Sequence, residues 1–173
     1  MFGSRYNKYH HKAKGTCKLV TLNVYDFKKD EFTFKKSDSY HVMMEAIIKQ
    51  GYHDITKSVQ RVVEDSCIKM GIVCVMSPGA TAGITTCEYE SGLISDIKDF
   101  FEKFIPQEAK YQHNVRWGDG NGFSHVRASL LGPSMSLPIS KGVLVLGTWQ
   151  QIIYIDFDNR SRNRELFVQI VGE

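Results

Sequence analysis

The sequence predicts an α+β fold, a mainly antiparallel β-sandwich or barrel-like sheet with two main helices. Two observations lead there. Apolar residues recur at helical spacing twice, at Val59, Val62, Val63, Cys67 and Met70 and again from Leu93 to Phe104. Other runs alternate apolar and polar residues, most clearly 150–157 and 165–171, and these read as strands. A chain of 173 residues suits one domain with a core of its own.

Taken in order, residues 1–15 are polar, basic and without period, and His10-His11 is a pair in a segment with no other metal-ligand pattern. Residues 16–25 and 32–36 alternate enough for an edge strand or hairpin. From Tyr40 the period is ambiguous, because Val42, Met43, Ala46 and Ile47 also fit a helix. Asp54 or Thr56 then caps a helix over 56–70, Gly71 stops it, and 72–76 reads as a buried strand. Residues 77–90 are a loop followed by a strand whose alternation puts Thr86, Glu88 and Glu90 on one face. The clearest helix is 91–104. Leu93, Ile94, Ile97, Phe100, Phe101 and Phe104 form one apolar face, read as core, and Pro106 follows its end. Residues 135–139 and 143–146 flank a turn at Ser140-Lys-Gly142 as a hairpin. The arginines of 158–163 read as a solvated turn, with phosphate attraction as the other reading.

Charge and cysteine content exclude several classes. Residues 1–39 hold nine Lys and Arg against four Asp and Glu, and residues 40–173 hold thirteen against fifteen. The positive charge therefore belongs to the N-terminal segment, and a nucleic-acid partner, which wants a basic stripe on the folded surface, is not expected. The longest apolar runs are too short to span a bilayer, and no secretory segment follows the start. Four cysteines lack CxxC spacing, and Cys67 and Cys74 fall in apolar patterns, as buried reduced thiols of a cytoplasmic protein would. There is no nucleophile elbow, Walker loop or dinucleotide fingerprint.

The stretch 111–150 carries the candidate chemistry. It holds His113, His125, both tryptophans and a Gly-Asp-Gly-Asn-Gly run over 118–122. Such a run lets the backbone approach a ligand, while Asp119 and Asn121 supply oxygens. Ser124 as N-cap, Gly132 as stop and Pro133 beyond it predict a short helix. A glycine-rich loop entering a helix N-terminus is a ready anion site, or else a tight connection between core elements. His113 and His125 lack a metal-ligand spacing and read equally as structural histidines. Asp119, Asn121, Arg127 and Ser129 cluster around them in sequence.

TAGITTCEYESG (81–92), YQHN (111–114), DGNGFSHVRASLLGPS (119–134) and GTWQQIIYIDFD (147–158) together resemble the YjbQ-type proteins, the secondary thiamine-phosphate synthase family. The resemblance covers roughly residues 40–173, making 1–39 a basic N-terminal extension outside it. It makes 42–48 the first strand rather than a helix, and it implies a compact homotrimer. It also implies condensation of hydroxymethyl-pyrimidine diphosphate with thiazole phosphate, releasing pyrophosphate. The alternatives are a non-catalytic trimeric binding protein for a small phosphorylated metabolite and a metal-assisted hydrolase.

By the same resemblance His113, His125 and Asp119 are the acid/base or ligand groups, and Asn121, Arg127 and Ser129 bind substrate phosphate. The family pocket holds a metal ion or an anion. Relatives carry histidines where this chain has Gly79 and Phe123, so a divalent cation, Mg²⁺ or Zn²⁺, would need Glu88 or Glu90 to complete a set with His113 and His125.

Overall fold

The computed structural model of the protein describes residues 16–26, 31–48 and 51–173, with side chains described from residue 51 onward except Asn163. The expectations for residues 1–15 and for the Cys17 thiol lie outside the described part. The chain forms β1 (Thr16–Asp26), β2 (Glu31–Ile48), β3 (Gly51–Asp54), α1 (Thr56–Asp65), β4 (Met70–Met76) and β5 (Ala82–Cys87). There follow α2 (Ser91–Phe104), α3 (Gln112–Trp117), α4 (Gly122–Leu131), β6 (Ser134–Ser140), β7 (Val143–Leu144), β8 (Gln151–Asp156) and β9 (Arg162–Gly172). One sheet runs β1-β2-β9-β4-β6-β7 and the other β3-β8-β5, with every pairing antiparallel.

This is the α+β, mainly antiparallel architecture expected. Strand β2 contains 42–48, and its register sets Val42 opposite Val168 and Ile48 opposite Arg162. Strand β8 feeds two cores by alternation. Ile152 and Tyr154 join Val59 and Val63 of α1 and Val73, Val168 and Ile170 of the larger sheet. Ile153 and Ile155 face the other way, with Phe157 just beyond, against Phe101 of α2 and Phe123 and Ala128 of α4.

Helix α1 begins at Thr56 as expected, but its N-cap is Ile55, without a side-chain cap; Asp54, just before it, accepts through Oδ1 from Thr56 N at 2.9 Å and Thr56 Oγ1 at 2.6 Å. It ends at Asp65, short of residue 70, because the chain turns through Cys67 at φ 60°. Gly71 is therefore no helix stop. It lies in β4, where a Cβ would meet Val171 O at 2.3 Å, so glycine allows close approach to β9. Cys67 is exposed and Cys74 half-buried, both free, which corrects the buried-thiol expectation.

The aromatic stripe of α2 is only partly core. Phe101 is buried, but Phe100 is 55% and Phe104 63% exposed, the two rings stacking on each other at 4.8 Å. Helical spacing identified the stripe, but of its three phenylalanines only Phe101 joins the buried core. Among the described residues no helix is long and apolar enough to cross a membrane.

Candidate functional site

Two short helices bring the candidate residues together. Helix α3 carries His113 and α4 carries His125, with the glycine-rich run joining them. Gly118 ends α3 in the left-handed region at φ 68°, and its N–H donates to Asn114 O at 2.8 Å. The helices approach closely because Gly122 has no side chain: a Cβ there would stand 2.5 Å from Tyr111 Cβ.

The N-cap of α4 is Asn121, not Ser124. Ser124 is buried within the helix and donates to Phe157 O at 2.7 Å, tying α4 to the end of β8. The first amide of α4, Gly122 N–H, is taken by Asn114 Oδ1 at 2.8 Å, so the expected anion cradle is partly filled by the protein's own side chain. Asn159 Nδ2 donates to Asp119 O at 3.0 Å and pins the glycine-rich loop to the turn before β9.

His113 Nε2 stands 3.3 Å from Asp119 Oδ2, and the His113 and His125 ring centroids are 4.2 Å apart at a tilt of 41°. With its amide nitrogen turned inward, buried Asn121 donates to Asp119 Oδ1 and Oδ2 at 3.0 and 3.1 Å. Burial opposes the charge on Asp119, but the His113 hydrogen bond and charge, with backbone amides, hold the carboxyl below its usual range. Burial, reinforced by His113, pushes His125 below the usual imidazole value. At neutral pH His125 is thus a neutral base beside a carboxylate-bound histidine.

The cavity holding this cluster, about 350 Å³, is also lined by Thr81, Asp158, Arg162 and Arg164. Arg164 is buried and donates through Nε and Nη2 to the two Asp156 oxygens at 2.8 and 2.7 Å and through Nη2 to Thr81 Oγ1 at 2.9 Å. Arg162, 45% exposed, pairs with Asp158 Oδ2 through Nε. Burial opposes ionisation of Asp158, yet Arg162, Thr81 and Arg164 keep its carboxyl low. Its Oδ1 is buried with no hydrogen-bond partner among the described residues. The run 158–163 read as a solvated turn, and that reading missed this wall. Arg164 falls one residue past the turn, at the start of a strand, where nothing in the local sequence signals a buried guanidinium.

The structure brings together His113, His125, Asp119 and Asn121, and separates the rest. Arg127 does not reach the cluster. It donates to Ile105 O through Nε at 3.0 Å and Nη2 at 2.6 Å and to Glu102 at 2.8 Å, lies over the Phe101 and Phe123 rings, and lines another cavity with Tyr52 and Lys98. It is a packing arginine, which corrects its phosphate role. Ser129 lines a neighbouring cavity, its Oγ donating to Val126 O.

Glu90 instead caps α2, accepting from Gly92 N at 2.7 Å and also from Leu93 N, and Glu88 is exposed beyond the end of β5. Neither lines the cavity of the histidines. Phe123 is buried in the second core, away from the position of a missing ligand, while Gly79 does line a cavity with His125. Among the described residues no group of three or more His, Cys, Asp or Glu is arranged to hold a metal ion. The donor set therefore does not fit the metal centre the resemblance implied.

Compared with known proteins, the family model for YjbQ-like UPF0047 proteins matches residues 41–173. A UPF0047 protein of Methanothermobacter thermautotrophicus is 42% identical over 120 residues, covering 69% of this chain and 82% of its own. One from Archaeoglobus fulgidus is 40% identical over 116 residues, with coverage of 67% and 87%. A YbjQ-like protein of unknown function from Sulfolobus solfataricus superposes with a TM-score of 0.75 at 32% identity, over 79% of this chain and 99% of that one. These proteins are named as UPF0047 or as of unknown function, and none of the names carries thiamine-phosphate synthesis. That expectation is withdrawn, and with it the binding-protein and hydrolase alternatives, which no name supports either.

Proposed function

Within the YjbQ-like UPF0047 family, to which this chain belongs, we propose that the cluster is a proton-transfer site acting on a small polar molecule. The observation that carries this reading is the contact of His113 with Asp119 at 3.3 Å, with the His125 ring stacked 4.2 Å from His113. An imidazole that is neutral near pH 7 accepts a proton, and a base with a value near the working pH does so most effectively. Once protonated, His125 meets the charges of Asp119 and Asp158, both of which favour the imidazolium. Asp119 orients His113, and Asn121 fixes Asp119.

Ring opening of 5-nitrobenzisoxazole tests the base without requiring the natural substrate. A base removes the C3 proton, the N–O bond breaks, and a coloured cyanophenolate forms. The protein should accelerate this reaction beyond an equal concentration of imidazole, with the rate rising to a plateau through an inflection below pH 6.5. His125→Ala should abolish the excess. An excess rate undiminished in His125→Ala would refute the assignment.

Assembly belongs to the same proposal. The larger sheet exposes Ile72, Met76 and Phe167, with Met76 directly opposite Phe167 in the register, and this apolar surface supports packing against further copies in a homotrimer.

A further inference from the structure

Ala80 and His125 each line two cavities. One is the polar cavity already described. The other, about 490 Å³, is walled by Gly79, Ala82, Val126, Ala128 and Pro133, and its polar Ser129 already donates to Val126 O. That volume suits the body of a small organic molecule. A ligand whose reacting atom meets His125 can therefore extend into apolar space on one side and polar space on the other.

The polar side wants donors rather than acceptors. Asp119 and Asp158 line it together with Arg162 and Arg164, and both guanidiniums are already paired with aspartates, Arg162 with Asp158 and Arg164 with Asp156 and Asp158. Asp158 is fully buried and its Oδ1 lacks a hydrogen-bond partner among the described residues. A buried unpaired acceptor is costly and is relieved by a ligand N–H. Trp117, 66% exposed, also lines this cavity, with the Arg116 guanidinium over its ring at 5.4 Å.

We infer that the two cavities form one site for a small amine with an apolar body, its ammonium set toward Asp158 and Asp119 and its body against Ala82, Val126 and Pro133. This rests on the reading of His125 as the reacting group, but it concerns which ligand is held.

Calorimetric titration with benzylamine, methylamine and benzyl phosphate tests it. Benzylamine should bind at least about tenfold more tightly than methylamine, since only it buries a ring. Benzyl phosphate should bind more weakly than benzylamine. Val126→Trp, at an exposed helix position, should weaken benzylamine about tenfold by filling the apolar cavity and leave methylamine unchanged. Asp158→Asn should weaken both amines about tenfold or more. If that variant does not fold, Asp119→Asn, at a half-exposed carboxylate, serves the same arm. Benzyl phosphate binding as tightly as benzylamine, or benzylamine indifferent to Val126→Trp, would overturn the inference. Amine binding that survives alongside a failed benzisoxazole test would overturn the proton-transfer reading alone.

Discussion

His113 and His125 stack with ring centroids 4.2 Å apart, and among the described residues only His113 of the two has a carboxylate partner at hydrogen-bond distance, Asp119 at 3.3 Å. The asymmetry divides the work. One imidazole is held by Asp119 and Asn121, while the other is left free to exchange a proton with a ligand. Replacing His113 by alanine should therefore raise the Asp119 carboxyl toward its ordinary value, because the hydrogen bond and charge that keep it low are lost. Carboxyl carbon NMR across the acid range reads this directly, and an unmoved Asp119 would mean the contact is not formed in solution.

Stability should vary with pH through His125. Its folded value lies below the unfolded value of 6.5, so the folded state binds fewer protons than the unfolded state in that window. The contribution is present above pH 6.5 and is lost as pH falls through the depressed value. Denaturant melts at several pH values should show this loss in the native chain and a smaller one in His125→Gln. An identical profile in the two would place His125 outside the site's electrostatics.

Arg127→Ala should damage folding and leave the histidine chemistry alone. Arg127 satisfies Ile105 O and lies over Phe101 and Phe123, so its removal should cost about 2–4 kcal/mol. Little of that comes from Glu102, which is exposed and screened. The expected result is a lower melting temperature with the benzisoxazole rate per folded molecule unchanged.

Arg164 should be far less tolerant. Asp156 is fully buried, and removing the guanidinium leaves its carboxylate without a cation in the interior, while Asp158 keeps Arg162 and Thr81. Arg164→Met should cost roughly 3–5 kcal/mol. Arg164→Lys should not restore stability, because an ammonium cannot span both Asp156 oxygens in the bidentate geometry. Full rescue by lysine would show that charge alone matters there.

Sedimentation equilibrium should give three times the chain mass at micromolar concentration. Phe167→Asp should reduce it to one, since Phe167 is exposed on the larger sheet opposite Met76. A native monomer would contradict the proposed assembly.

Much of this was legible in the sequence and some was not, for physical reasons. Alternation and helical spacing located β8, β9, α1 and α2, because a buried face imposes its period on the chain. The pairing of His113 with His125 was legible as a cluster in sequence, and α3 and α4 make it a cluster in space. Arg127 misled because it is adjacent to the cluster in sequence but two residues past His125, on a helix flank that meets α2. Glu90 misled because capping a helix uses the same carboxylate that could hold a ligand. Arg164 and Asp158 escaped notice because their burial depends on β8 and β9 meeting the loop at Thr81, which no local pattern encodes.

The central claim, that His125 is a neutral base beside a carboxylate-bound histidine, is tested most directly by nitrogen NMR of the imidazoles in ¹⁵N-histidine-labelled protein. His125 should titrate below 6.5 and move upward when His113 is replaced by alanine, since His113 adds to the burial that lowers it. A His125 that titrates at or above 6.5, or that is indifferent to the His113 substitution, would contradict the account.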